Sequence, residues 1–131
     1  MIALDTNVLV RFLVEDDLEQ SKRAATLIER TVEADERLFI SDIVVCELVW
    51  VLSGAYRFKR EEIASTLGDL VRARHLRFDE PDAIARALGA FRAGAGDFAD
   101  YLIREQARAT GCDRVATFDR VLQKEPEFVA P

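Results

Sequence analysis

The chain has 131 residues, half of them apolar, which suffices for one buried core and reads as a single domain over residues 1–131. No run reaches the roughly 18 apolar residues of a membrane helix, and no basic segment precedes the apolar start, so neither a membrane span nor a signal peptide is expected. A formal net charge of −6 speaks against a basic nucleic-acid coat protein but not against a nuclease, whose carboxylates collect negative charge where bound cations offset it.

In chain order, Ile2 to Leu4 reads as a short strand. Residues 7–14 read as a helix with Val8, Leu9, Phe12 and Leu13 on one face, and a longer amphipathic helix runs from Leu18 past Val32. Arg37-Leu38-Phe39-Ile40 is the second expected strand. Ser41 or Asp42 then caps a buried helix over residues 43–55 that ends near Gly54. Another amphipathic helix covers residues 59–74, with Ile63, Leu67, Leu70 and Val71 inward. His75-Leu76-Arg77-Phe78 is the third strand, and Pro81 opens the next helix. Ala93-Gly94-Ala95-Gly96 reads as a flexible connection to a helix over residues 98–109 that stops at Gly111. Residues 115–118 give a fourth strand, a short helix follows Asp119, and residues 127–129 form a last edge strand. This alternation predicts an α/β fold, a central and mostly parallel sheet of about four to five strands flanked by helices. In such folds ligands bind beyond the carboxyl ends of the strands.

Five acids stand at places where a plain surface carboxylate is not required. Asp5 follows the first strand beside Thr6 and Asn7, either of which would cap the next helix as well. Glu47 lies alone in Ile43-Val44-Val45-Cys46-Glu47-Leu48-Val49-Trp50-Val51-Leu52. It is expected to be buried, where an unpaired carboxylate would cost several kcal/mol, so that a cation or a dense hydrogen-bond set must compensate it. Asp97 and Asp100 open one helix; Asp100 shares a side with Ile103 and Ala107 and is expected to face protein. Asp119 leaves the fourth strand after Thr117-Phe118. Cys46 and Cys112 match no metal or disulfide spacing and suggest reduced thiols in a cytoplasmic protein, and His75 is the only histidine. Oxygen-only ligation suits Mg²⁺ or Mn²⁺, and carboxylates around such ions suit phosphodiester hydrolysis. The basic groups Arg57, Lys59 and Arg60, then Arg72, Arg74 and Arg77, then Arg104 and Arg108, read as solvated helix faces.

Leu4-Asp5-Thr6-Asn7-Val8-Leu9, Ser41 with Glu47-Leu48, Asp97-Phe98-Ala99-Asp100-Tyr101-Leu102-Ile103 and Thr117-Phe118-Asp119, in this order, resemble the PIN-domain ribonucleases, and among them the VapC toxins of bacterial type II toxin–antitoxin pairs. The resemblance covers nearly the whole length. It implies a Mg²⁺- or Mn²⁺-dependent endoribonuclease whose catalytic and metal-binding acids fall on Asp5, Glu47, Asp100 and Asp119, with Asp97 as a further acid of the metal site. Asp5 and Asp100 would be the principal ligands, and Asn7 and Thr117 would orient carboxylates. It also implies an RNA substrate, a homodimer and a cognate antitoxin. Arg104 departs from the small residue common in the family, and it is expected to be a surface charge.

Two other readings stay open from sequence. One is a PIN fold that only binds RNA or a protein partner. The other is a receiver-like signalling domain, which needs a late lysine, and Lys124 is the only one here. A dehalogenase-type phosphatase is disfavoured because Asn7 stands where a second aspartate is required.

Overall fold

Three short strands, β1 (Ile2–Ala3), β2 (Leu38–Ile40) and β3 (Leu76–Phe78), pair in parallel in the order β1-β2-β3 in the computed structural model, which describes residues 1–131. Parallel neighbours require crossovers, and helices supply them. α1 (Thr6–Leu13) and α2 (Leu18–Glu33) connect β1 to β2, and α3 (Asp42–Gly54) and α4 (Arg60–Arg72) connect β2 to β3. Two of these starts are fixed by side-chain caps: Asp17 accepts a hydrogen bond from the Gln20 amide at α2, and Ser41 Oγ accepts one from the Val44 amide at α3. Leu9, Leu38, Ile40, Leu48, Leu52 and Ile63 are fully buried between these elements. Together they form one compact unit, Met1–Asp79.

The second unit is Glu80–Pro131. It pairs α5 (Pro81–Ala93) with α6 (Phe98–Thr110), whose apolar faces meet through Ile84, Ala87, Phe91, Phe98, Tyr101 and Leu102. The Phe91 and Phe98 rings meet edge to face at 6.4 Å. Gly111 takes a left-handed backbone with φ of 94° and ends α6, a conformation open to glycine without strain. β4 (Val115–Ala116) and β5 (Phe128–Val129) then pair in parallel around a 3-10 turn, Leu122–Lys124.

The α/β alternation and the parallel pairing agree with the sequence reading, but the five strands fall into hydrogen-bonded sheets of three and two. Two expectations about side chains change. Glu47 is exposed, not buried, because it shares the outward stripe of α3 with Ile43 and Trp50, which are 71% and 57% exposed. Apolar residues all round α3 hide the helical period that would have shown this. A buried glutamate paired with arginine does occur on α6: Glu105, 3% exposed, accepts from Arg86 at 2.9 Å and from Arg108 at 2.6 Å. Arg108 in turn bridges to Glu127.

Arg104 is the second change. It is 8% exposed, with its guanidinium 5.2 Å from the centroid of the Tyr101 ring and 5.3 Å from that of Phe128. Its Nη1 donates to the Pro126 carbonyl at 3.1 Å. Three residues beyond Tyr101 on the same helix, it follows that ring inward.

Burial predicts very different costs for two changes on α3. Leu52→Ala should cost about 2–5 kcal/mol of unfolding free energy. Glu47→Gln should stay within about 0.5 kcal/mol, as for an ordinary surface change. Urea denaturation followed by circular dichroism measures both, and a large loss for Glu47→Gln would contradict its exposure.

Candidate active site

In the first unit, the carboxyl ends of three parallel strands lie side by side, with Ala3 opposite Phe39 and Ile40 opposite Phe78. Asp5, Ser41 and Asp79 follow those ends. Asp5 precedes α1 but caps it poorly: its Oδ1 accepts from the adjacent Thr6 amide at 2.8 Å, one residue short of the amides a cap normally serves. The α1 turn is closed instead by the Asp5 carbonyl, which accepts from Val8 and Leu9. The Asp5 side chain is therefore not committed to holding the helix. Behind it, Thr6 Oγ1 is buried without a hydrogen-bond partner. α1 packs on α3, which carries Glu47. Asn7 is exposed at the start of α1 and lines an open cleft of about 570 Å³ together with Arg11, Gln20 and Arg23.

The second unit gathers acids more closely. The Asp97 amide donates to Asp100 Oδ2 at 3.0 Å, which turns the Asp100 carboxylate back over the N-terminus of α6. Asp100 is half-buried, as expected, although Ile103 on the same side is half exposed. Burial pushes the Asp100 carboxyl above its ordinary range. The charges of Asp97, Asp119 and Glu125 push the same way, against the lowering effect of the Asp97 amide. Asp119 is placed by its own turn: its amide donates to Thr117 Oγ1 at 3.1 Å, and its Oδ1 accepts from the Val121 and Leu122 amides. Thr117 thus fixes the backbone that carries Asp119.

Two residues here had no role in the sequence reading. The Tyr101 hydroxyl is buried, accepts from the Gly96 amide at 2.9 Å and donates to the Glu125 carboxylate at 2.7 Å. A Cβ on Gly94 would collide with that hydroxyl and lie 2.6 Å from Glu125 Oε1. The Gly94–Gly96 connection is therefore a tight seat for Tyr101 and not a loose hinge. It anchors the start of α6, where Asp97 and Asp100 stand. The pattern Gly-x-Gly five residues before a helix-face tyrosine was the available sequence signal. Glu125 lies in an irregular segment and gave none.

The donor set suits a hard divalent cation: carboxylate oxygens, with neither cysteine nor histidine among them. Within neither unit do three acids stand close enough to grip an ion as the side chains lie. By donor chemistry alone the acids suit Mg²⁺ or Mn²⁺, but as placed they form no group that holds an ion.

The PIN-domain profile matches residues 2–127, and the chain belongs to the PIN-domain family. It is similar to the VapC ribonuclease of Aquifex aeolicus (strain VF5), 27% identical over 124 residues that cover 95% of this chain and 91% of that protein. The receiver-like reading falls with this membership. No helix is long and apolar enough to cross a membrane.

Because the folded state raises the Asp100 pKa, its charged form is penalised above that pKa, and the penalty fades as pH falls through it. Asp100→Asn, which keeps an oxygen for the Asp97 amide, is therefore expected to raise the Tm at neutral pH and to leave it little changed in acid. A lower Tm at neutral pH would contradict this. Gly94→Ala should destabilise, whereas Gly89→Ala, in open space inside α5, should stabilise by about 0.5–1 kcal/mol. Thermal melts compare the two, and equal effects would remove the seat.

Proposed function

We propose that this chain is a Mg²⁺- or Mn²⁺-dependent endoribonuclease of VapC type, acting as the toxin of a type II toxin–antitoxin pair in the cytoplasm. The observation that carries the reading is Asp100, a half-buried carboxylate whose charged surroundings are all acidic. A fold keeps such an arrangement at a cost in stability, and a cation repays it. Family membership and the VapC relative support the choice of RNA as substrate.

In this reading the chain acts as one domain, and Asp5 and Asp100 are the principal ligands. Glu47 and Asp119 complete the set or hold the attacking water, and Asp97 supports Asp100 through its amide. Asn7 and Thr117 orient the carboxylates. The bound cation would activate water and neutralise charge developing on the attacked phosphate. The exposed positions of Asp5, Glu47 and Asp119 suit contact with a large polymer. A homodimer is part of the proposal. A cognate antitoxin that blocks the site is the other partner.

The purified chain should cleave structured RNA in Mg²⁺ or Mn²⁺ and stop on addition of EDTA. Asp5→Asn and Asp100→Asn should each lower the cleavage rate by about 10²-fold or more while remaining folded by circular dichroism. Undiminished cleavage in EDTA, or by either variant, would overturn the assignment.

A further inference from the structure

Phe118 is 88% exposed, the most exposed of the large apolar side chains. This is not the looseness of a free loop, because its neighbours are fixed on both sides. The Thr117 amide donates to the Val129 carbonyl at 2.9 Å, and the Gln123 side-chain amide donates to the Thr117 carbonyl at 2.6 Å. Asp119 is held by Thr117 Oγ1 on one side and by the Val121 and Leu122 amides on the other. Leu122, four residues on, takes the buried position in the turn. The backbone therefore presents the Phe118 ring to solvent by construction.

We infer that Phe118 is a stacking platform for a nucleobase of single-stranded RNA next to the phosphate being cut. The inference rests on the nuclease reading above. An aromatic face accepts any base, and recognition of unpaired RNA relies on such faces. Its neighbours in sequence point the same way. Asp119 belongs to the proposed acidic centre, and Arg120, also exposed, supplies a cation for phosphate. An aromatic, a carboxylate and a cation in consecutive positions match the parts of a nucleotide. The core of a protein–protein contact is instead depleted of charge, which disfavours a protein as the occupant.

The test uses the full chain with Phe118→Ala and Phe118→Trp. Cleavage of a single-stranded RNA oligonucleotide is followed at saturating Mg²⁺. Binding of the same labelled oligonucleotide is measured by fluorescence anisotropy in an Asp100→Asn background, so that no cleavage intervenes. Phe118→Ala is expected to raise KM and Kd by about 5- to 150-fold, with kcat within about twofold. Phe118→Trp should keep wild-type affinity. The Tm of both should match the wild type, since Phe118 is almost wholly exposed. Unchanged KM and Kd in Phe118→Ala would overturn the inference, and a loss of self-association alone would assign the ring to a protein contact instead. A wild-type chain that binds the oligonucleotide through Phe118 but never cleaves it would remove the nuclease reading and, with it, the place of the ring beside a cut phosphate, leaving only a base-stacking contact. Cleavage that is indifferent to Phe118 would remove this inference and leave the nuclease reading standing.

Discussion

Partial withdrawal of the Asp100 carboxylate from water, with other acids near it, is the constraint on which the rest of this reading depends. Asp100 is partly withdrawn from water and surrounded in charge by Asp97, Asp119 and Glu125, a placement that raises its pKa and lowers the stability of the fold. Asp100 also serves α6 as the third residue of a capping box, and further interactions hold this segment in place. The Asp97 amide orients the carboxylate, and Tyr101, seated between Gly96 and Glu125, fixes the loop from which α6 starts. Arg104 backs the Tyr101 ring from within the core.

Parallel strand topology supplies the other half of the arrangement. In a parallel sheet every strand ends at the same edge, and the following helices begin there. Asp5 occupies such an end without serving as an efficient cap, and Asp119 occupies another in the smaller sheet. Helices must start at these positions, so backbone amides are available to place side chains. Thr117 and Asp119 use them in a self-contained turn. The same turn leaves Phe118 outside.

Much of this was legible in the sequence, and for a physical reason. Periods of 3.6 and 2 separate helices from strands when each element has one wet and one dry face, as α2 and α4 do, and capping residues such as Asp17 and Ser41 mark their starts. The acids were visible as residues that the local structure did not need. Glu47 was misread as buried because α3 is apolar on almost every side, so the helical period carries no contrast there. Arg104 was misread as exposed because charge alone suggests a surface. Its burial depends on two aromatic rings, one of them 24 residues away at Phe128. The Tyr101–Glu125 contact spans the same distance in sequence and could be seen only in three dimensions.

The central claim is that these carboxylates exist to hold a divalent cation. Anomalous diffraction from crystals soaked in Mn²⁺ tests it most directly. The expected result is a manganese peak on the Asp100 carboxylate, absent from crystals of the Asp100→Asn variant. Well-diffracting soaked crystals with no peak at Asp100, or with manganese only at unrelated surface acids such as Asp35, would contradict the account.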